Sequence, residues 1–338
     1  MNKKRAFLLA GLFLICLLIG AGIYMQRASE EAEYIILSGT VNEDTGYIPY
    51  FKEKIEQKGG KVTELSTSGS TYSSLQQYQL LQAAVTKNTK CIVVDAVTQD
   101  NLSALLPQYL EQGIKVISAV NKVREQDRNL HIGIADTVNT GQLLMQDVLR
   151  ATKGTGHFLI ISDSMQNSTA NSLVLGIRSE FEETNPDGLY LDDILRAPES
   201  PDEVLSKFKD YLQKGTQVSA VVCLSQAMTE TVCAAVKECD LQEQVQIIGF
   251  SSQEDLDKEC FDDVNVKLYS YDEKSFGYLL AEAAMLLTEG EIESRAGEKV
   301  TLSDGKTYEI QENIHRTSDD EPGSELYFFD SLMTSHEK

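Results

Sequence analysis

The chain has 338 residues, of which 42% are hydrophobic and 24% charged, and this composition is typical of about two globular domains. The formal net charge is -22, and residues 1–28 carry basic residues but no acidic ones, so the rest of the chain is more acidic still. Such a surface repels phosphate backbones and anionic lipid headgroups, which argues against a nucleic-acid partner.

The first 28 residues are typical of an export signal or a membrane anchor. Met1–Arg5 is basic, and residues 6–24 carry no charge. This run exceeds the ~7–15 residues of a secretory signal core and falls within the ~17–25 residues of a membrane span. Cys16 follows Ile15 and not the small residue expected before a lipidated cysteine. We predict an uncleaved single-pass anchor with the remaining chain on the extracytoplasmic face. The alternatives are a secreted form and a lipid-anchored form.

From residue 34 onwards, short apolar runs alternate with segments of helical period. The runs that predict strands lie at 34–39, 61–66, 91–96, 115–120, 157–162, 189–195, 219–225, 245–251 and 266–271. The segments that predict helices lie at 45–60, 74–88, 101–113, 137–154, 171–183, 201–215, 228–239, 252–259 and 273–290. Apolar strands separated by helices indicate parallel sheets covered on both faces.

The pattern starts again after residues 131–136, and it contains too many strands for one compact sheet. We predict an α/β fold of two doubly wound parallel-sheet lobes behind an N-terminal transmembrane or signal helix. The predicted domains are 1–28 for the signal or membrane anchor, 33–134 plus 272–295 for lobe 1, and 135–271 plus 296–330 for lobe 2. Ligands of such sheets bind outside the carboxyl ends of the strands, so we predict the site in a cleft between the lobes.

The C-terminal tail predicts further β-structure. Residues 299–310 have the pattern of a hairpin, with Asp304 and Gly305 as a two-residue type I′ turn. Residues 325–333 are largely apolar. We expect the tail to close lobe 2 or to dock a partner.

The sequence contains no recognisable catalytic, metal-binding or cofactor motif. It has no nucleophile elbow, no zinc-protease motif and no glycine-rich phosphate loop, and its four histidines stand singly. No cysteine pair has metal-ligand spacing, and one disulfide, between Cys239 and Cys260, stays open as an alternative to free thiols. We predict a binding protein without enzymatic activity, metal or cofactor.

The ordered series of segments resembles the type I periplasmic binding proteins, in particular the ribose- and galactose-type sugar-binding group. The segments that carry the resemblance, over about residues 33–290, are IILSG, TGYIPYFKEKIEQKGGKV, CIVVDAVTQDNLSALLPQYLEQGIKVISAVN, HIGIADTVNTG, LGIRSEF, VSAVVCLSQAM, IIGFSSQEDL and VKLYSYDEKSFGYLLAEA. The resemblance implies a small polar ligand, a carbohydrate or a similar compound, held between lobes that the chain crosses near 134–136, 249–251 and 271. It also implies delivery of this ligand to an ABC permease. The alternative function is a membrane-anchored sensing subunit that partners a histidine kinase or another receptor.

The resemblance, together with polar residues at strand ends, gives nine candidate ligand-binding residues: Tyr47, Asp95, Asn121, Asp136, Gln166, Asn171, Gln226, Ser251 and Tyr271. The Asp-Arg pair that the family has after the fourth strand falls on Val120 and Asn121, so a charged clamp is missing here. The alternative roles are helix capping or hinge hydrogen bonds for Asp95 and Asp136, and core packing for Tyr47. The predicted cleft is polar and close to neutral.

Overall fold

The computed structural model describes residues 32–38, 46–66, 73–162, 168–196, 201–213, 218–252, 255–312, 324–329 and 334–337. The predicted anchor at 1–28 and the candidate residue Gln166 lie outside these ranges. Among the described residues, no helix combines the length and the apolar character that a membrane crossing requires.

Helices and strands alternate over most of the described chain. The helices are α1 (Ile48–Gln57), α2 (Ser74–Ala84), α3 (Leu106–Glu111), α4 (Thr137–Thr152), α5 (Ser168–Thr184), α6 (Pro201–Gln213), α7 (Gln226–Glu238) and α8 (Glu273–Glu289). The strands are β1 (Glu33–Leu37), β2 (Lys61–Leu65), β3 (Thr89–Val94), β4 (Lys115–Ala119), β5 (Leu130–Ala135), β6 (Thr155–Ser162), β7 (Gly188–Arg196), β8 (Val218–Cys223), β9 (Gln246–Phe250), β10 (Val266–Ser270), β11 (Lys299–Thr301), β12 (Thr307–Glu309), β13 (Gln311–Glu312), β14 (Ser324–Phe329) and β15 (Thr334–Glu337).

Two main sheets form the cores of two lobes, as the sequence predicts. The first lobe contains the sheet β13-β14-β5-β4-β3-β1-β2, and the second contains β15-β10-β9-β8-β6-β7. Strands β1 to β5 pair in parallel, as do β6 to β10, whereas β13 and β15 pair antiparallel at the edges. Both faces of each sheet are buried, so consecutive side chains along a strand are apolar. This explains why the strand sequences do not alternate between apolar and polar residues.

Local signals in the sequence set several helix starts next to the strand ends. Side-chain oxygens accept hydrogen bonds from backbone N–H groups in the first turns of α2, α4, α7 and α8; the capping residues are Ser73, Asp136, Ser225 and Asp272. Such caps satisfy N–H groups that have no partner inside the helix, and each contributes about 1 kcal/mol.

The chain crosses between the lobes at two of the three predicted places. It passes from β5 to α4 near Ala135, and from β10 to α8 near Tyr271. The crossing predicted near 249–251 is wrong, because β9 and β10 are neighbours in the second sheet. The third crossing lies instead between β14 and β15, which belong to different sheets.

The tail also departs from the prediction that 296–330 belongs to lobe 2. Strand β14 pairs in parallel with β5, so it extends the sheet of the first lobe. Its side chains Leu326 and Phe328 are buried in the first-lobe core, together with Val300 and Leu302 from the preceding hairpin. The strand joins this lobe because β5 offers a free edge and an apolar face, and these are properties of the folded sheet.

The hairpin β11–β12 forms where the sequence predicts it, but its turn is of another type. A type I′ turn needs positive φ at both central residues, whereas Gly305 has φ 89° and Asp304 does not fall in that region. The Gly305 N–H donates to the Leu302 carbonyl at 2.9 Å, and the Leu302 N–H donates to the Lys306 carbonyl at 2.8 Å. This pattern is a type I turn followed by a left-handed glycine, the common three-residue hairpin loop.

Candidate functional site

Two hydrogen bonds join the lobes at the carboxyl ends of their strands. The Thr169 hydroxyl donates to the Val120 carbonyl oxygen at 2.8 Å. The Lys122 backbone N–H donates to the Ser168 hydroxyl at 2.8 Å. The first-lobe partners follow β4, and the two hydroxyl groups belong to the first turn of α5, which follows β6. The strand ends of both sheets therefore meet in the interlobe region where the sequence predicts the ligand.

Asp95 and Asn121 form a polar pair at this edge of the first lobe. Asp95 follows β3 and is 3% exposed, and its Oδ1 accepts a hydrogen bond from the Asn121 Nδ2 at 2.8 Å. The other amide atom, Asn121 Oδ1, is buried and has no hydrogen-bond partner among the described residues. An unpaired buried acceptor costs about 1–3 kcal/mol of stability. A ligand hydroxyl that donates a hydrogen bond to this oxygen would remove that cost.

Two tyrosines flank Phe276 beside this pair. The rings of Tyr47 and Phe276 pack edge to face with centroids 5.2 Å apart, and those of Tyr271 and Phe276 do so at 5.6 Å. Burial raises the pKa of Tyr47 well above its usual value, and Asp95 and Tyr271 raise it further. Burial also raises the pKa of Tyr271, with additional contributions from Glu273 and Asp95. Both phenols therefore stay protonated and able to donate a hydrogen bond.

Glu273 is a further acidic residue at this edge that the sequence analysis does not identify. It is the first residue of α8 and is 7% exposed. Its carboxylate occupies the space beside Gly46, where an added Cβ would lie 2.0 Å from Oε2. Any larger residue at position 46 would require the Glu273 carboxylate to shift. The sequence does offer a signal for Glu273, because this residue lies only two positions after the predicted crossing at Tyr271.

A buried glutamine holds the strand ends that carry Asp95. Gln77 of α2 is completely buried, and its Nε2 donates to the Asp95 carbonyl at 2.7 Å and to the Ser38 carbonyl at 3.3 Å. Its Oε1 accepts from the Val97 N–H at 3.1 Å and from the Asn101 Nδ2 at 2.6 Å. This single side chain therefore positions the ends of β1 and β3 without itself being a candidate for ligand contact.

The loop after β4 is held by a buried charged cluster that includes the tail. Glu325 of β14 is fully buried, and its Oε1 lies 2.8 Å from Lys122 Nζ and 3.2 Å from Arg128 Nη2. Its Oε2 accepts from the Tyr327 hydroxyl at 2.6 Å. Burial alone raises the pKa of a carboxyl, but Lys122, Tyr327 and Arg128 outweigh this effect and hold the pKa of Glu325 below its usual value.

A small cavity lies next to the interlobe hydrogen bonds. Its volume is about 10 Å³, room for one water molecule and far below the ~300–1,000 Å³ of small-molecule sites. The residues that line it are Val120, Lys122, His131, Gly133, Ala135, Thr137, Ser168, Thr169, Ser172 and Tyr327. Burial lowers the pKa of His131 well below its usual value, so the imidazole that lines the cavity is neutral.

In the second lobe, Asn171 and Ser251 remain candidates for ligand contact. Asn171 is an exposed residue of α5, and its Oδ1 accepts a hydrogen bond from Arg196 Nη1 at 3.1 Å. Arg196 ends β7 and is a cationic side chain at a strand end that the sequence analysis does not identify. Ser251 follows β9, is 4% exposed, and its hydroxyl has no partner within the described part of the chain.

Two other predicted residues have structural partners. Asp136 caps α4, because its Oδ1 accepts from the N–H groups of Val138 at 3.1 Å and Asn139 at 3.3 Å. Gln226 Nε2 donates to Glu230 and Asp255, and its Oε1 accepts from the Ser252 N–H at 3.0 Å.

The nine predicted residues therefore fall into distinct groups. The structure brings Tyr47, Asp95, Asn121 and Tyr271 together at one edge of the first lobe, next to the junction with the second. Tyr47 is 3% exposed and part of the first-lobe core, which is the alternative role that the sequence left open for it. In the second lobe, Asn171 lies in the first turns of α5 and Ser251 follows β9, and Gln166 is outside the described residues.

No group of three or more metal-ligating side chains is arranged to hold a metal ion in the described ranges. Cys239 and Cys260, left open as a disulfide by the sequence, are both free thiols, as are Cys91, Cys223 and Cys233.

A family model described as "Periplasmic binding protein domain" matches residues 35–292. Among curated protein sequences, none matches the chain.

Solved structures share the fold at low sequence identity. A solute-binding protein of an ABC transporter from Clostridium phytofermentans, with bound L-rhamnose, superposes with a TM-score of 0.80 at 19% identity, over 91% of this chain and 96% of that one. LsrB from Clostridium saccharobutylicum, in complex with AI-2, gives 0.78 at 17% identity, over 90% and 97%. The myo-inositol binding protein from Caulobacter gives 0.67 at 19% identity, over 78% and 89%.

Proposed function

The chain belongs to the family of periplasmic binding protein domains, and from this membership we propose that it is the solute-binding component of an ABC importer for a sugar or sugar-like compound. The match confirms the resemblance that the order of sequence segments indicates. The family binds solutes and does not transform them, so the proposed role is capture without catalysis.

The observation that carries the proposal is the cluster of Tyr47, Tyr271, Asp95 and Asn121 at the interlobe edge of the first sheet. Sugars present apolar ring faces to aromatic side chains and hydroxyl groups to hydrogen-bonding side chains. The cluster offers hydrogen-bonding groups, because two protonated phenols adjoin the Asp95 carboxylate and the unpaired acceptor Asn121 Oδ1. Tyr47 is buried in the first-lobe core, so the half-buried Tyr271 is the aromatic ring of the cluster that a sugar can reach. Solved structures with this fold carry rhamnose, AI-2 and myo-inositol, which are all small and rich in hydroxyl groups.

The proposal extends to location. Residues 6–24 carry no charge and follow a basic segment, so we assign them to a single-pass anchor that holds the lobes at the extracytoplasmic face of the membrane. There the chain would meet its permease. The test of the anchor is the N-terminal sequence of the mature protein in membrane and soluble fractions, since cleavage after about residue 22–28 would contradict it.

The test of ligand binding is a thermal-shift screen of residues 29–338 against pentoses, hexoses, deoxysugars, inositols and AI-2-like furanosyl compounds. A ligand that binds the native state alone, at 100 times its Kd, adds about 2.7 kcal/mol to the free energy of unfolding. We expect a carbohydrate among the compounds that raise the melting temperature. If none does so with folded protein, the importer proposal fails.

A matched pair of variants locates the site. Asp95→Asn removes the buried carboxylate of the cluster. It should raise the apparent Kd of any hit at least about tenfold and so reduce the thermal shift. Asp187→Asn makes the same chemical change at an exposed residue of the second lobe, just before β7, and should leave the shift unchanged. Equal binding by both variants would place the ligand outside this cluster.

A further inference from the structure

The three consecutive residues Val120–Lys122 connect the candidate ligand site to the second lobe and to the tail. The Val120 carbonyl and the Lys122 N–H are bonded to the hydroxyls of Thr169 and Ser168, as described above. Between them, the Asn121 amide reaches Asp95. Any movement that separates the lobes at this point must break both interlobe hydrogen bonds and release the segment that carries Asn121.

The backbone of this segment is held in an unfavourable conformation. Val120 has φ 59°, a left-handed value that is rare for β-branched residues. Its N–H donates to the Ile132 carbonyl at 3.1 Å, and its carbonyl accepts the Thr169 hydroxyl. Strained residues of this kind persist where surrounding contacts over-determine them, and they concentrate at ligand clamps and switch regions.

The tail fixes the far end of the same segment. Lys122 Nζ lies 2.8 Å from the fully buried Glu325 of β14, which Arg128 and Tyr327 also hold. Glu325 does not contact the candidate ligand residues, since its bonds go to the loop after β4 and to its own strand. Lys122, which directly follows Asn121, is therefore its shortest link to the ligand site.

We infer that Val120–Lys122 and the first turn of α5 form an interlobe latch, and that Glu325 is a positioning residue that keeps this latch closed. This inference rests on the proposed function, because it names what sets the fraction of protein with a closed cleft. Apparent affinity falls in proportion to the fraction of the binding-competent state, so weakening the latch weakens binding without removing a ligand contact.

The latch is tested first without any ligand, by amide hydrogen exchange of the full-length chain. Ser168→Ala removes the acceptor of the Lys122 N–H and should speed exchange of that amide by about tenfold or more. Ser172→Ala changes another serine of α5 that lines the same cavity but has no bond to the loop, and it should leave the exchange rate unchanged. Unchanged exchange at Lys122 in Ser168→Ala overturns the latch.

The positioning role of Glu325 is separated from a merely structural one by comparing two sets of amides. Glu325→Gln should speed exchange at Lys122 while the amides of β14 that pair with β5 stay protected. Glu312→Gln, an exposed glutamate on the neighbouring strand, is the control and should change neither. If the β14 amides lose protection together with Lys122, Glu325 only supports the strand and the positioning role is wrong.

The ligand measurement distinguishes failure of this inference from failure of the proposed function. With a carbohydrate that binds, Ser168→Ala and Glu325→Gln should each raise Kd severalfold. The double variant should raise Kd by less than the product of the two single factors, because both residues act on one latch. Fully independent effects contradict the shared latch. If no carbohydrate binds, the proposed function fails, and the exchange rates still decide whether the latch exists.

Discussion

Gln77 shows how much of the candidate site depends on a residue with no contact to ligand. It lies in the middle of α2 with its side chain fully buried, and it forms hydrogen bonds with backbone carbonyl and N–H groups at the ends of β1 and β3. In the sequence it is one of several glutamines in a helix of ordinary composition, and nothing distinguishes it from Gln76 or Gln79. Its role exists only because the fold brings two strand ends over one face of that helix.

We predict that Gln77→Met lowers the free energy of unfolding by about 2–4 kcal/mol, because it keeps the side-chain volume but leaves several buried polar groups without a partner. The measurement is urea unfolding followed by circular dichroism. The matched control is Gln79→Met, an exposed residue two positions later, for which we expect a change within about 0.5 kcal/mol. Equal stability of the two variants would show that water replaces the Gln77 bonds.

At the scale of elements, the sequence predicts most strands and helices because each carries its own signal. Apolar runs mark the parallel strands, and caps such as Asp136 and Ser225 mark helix starts. The pairing of β14 with β5 was not predictable in this way, because a run such as ELYFFD specifies a strand but not its neighbour. The same limit applies to Glu325, whose partners Lys122 and Arg128 are about 200 residues away in the chain.

Helices α4 and α5 illustrate a contact that two glycines permit. A Cβ on Gly176 would lie 2.0 Å from the Val138 carbonyl oxygen, and one on Gly141 would lie 2.2 Å from the Leu173 carbonyl oxygen. Both obstructing atoms belong to backbone, which cannot move aside without shifting a helix. This close approach places the first turn of α5, with Ser168 and Thr169, against the loop of the first lobe.

We predict that Gly176→Ala forces α4 and α5 apart and lowers the free energy of unfolding by about 1–3 kcal/mol, even though alanine has the higher helix propensity. Ser179→Ala, an exposed position of the same helix, should change stability by less than about 0.5 kcal/mol. Thermal unfolding of both variants measures the difference. A Gly176→Ala variant as stable as the parent would mean that the helices have room to separate.

At the scale of the whole molecule, the C-terminal tail ties both lobes into one unit. Strand β14 extends the sheet of the first lobe, and β15 pairs with β10 at the edge of the second. The order of sequence segments predicts two lobes correctly, but it assigns the tail to one of them. The tail serves both because each sheet ends in an edge strand that it can cover.

The contributions of the two tail strands should differ strongly, and two truncations measure them. Ending the chain at residue 312 removes β14 together with β15. It uncovers the first-lobe core residues that pack against Leu326 and Phe328, and it leaves Arg128 without the carboxylate of Glu325. Loss of one partner of a buried ion pair costs about 3–5 kcal/mol, to which the lost apolar burial adds. Because native proteins are stable by only about 5–15 kcal/mol, we expect this chain to lose cooperative unfolding in its first lobe.

Ending the chain at residue 330 is the matched truncation, because it keeps β14 and removes only β15. That strand is short and pairs with β10 at an edge, and its side-chain contacts include one hydrogen bond between His336 and Ser270 at 3.1 Å. We expect a cooperative transition with a free energy of unfolding lowered by about 1–2 kcal/mol. Urea unfolding by circular dichroism distinguishes the two chains. Equal loss in both would mean that β15 accounts for the stabilisation by the tail and that β14, with the buried charge of Glu325, adds nothing measurable.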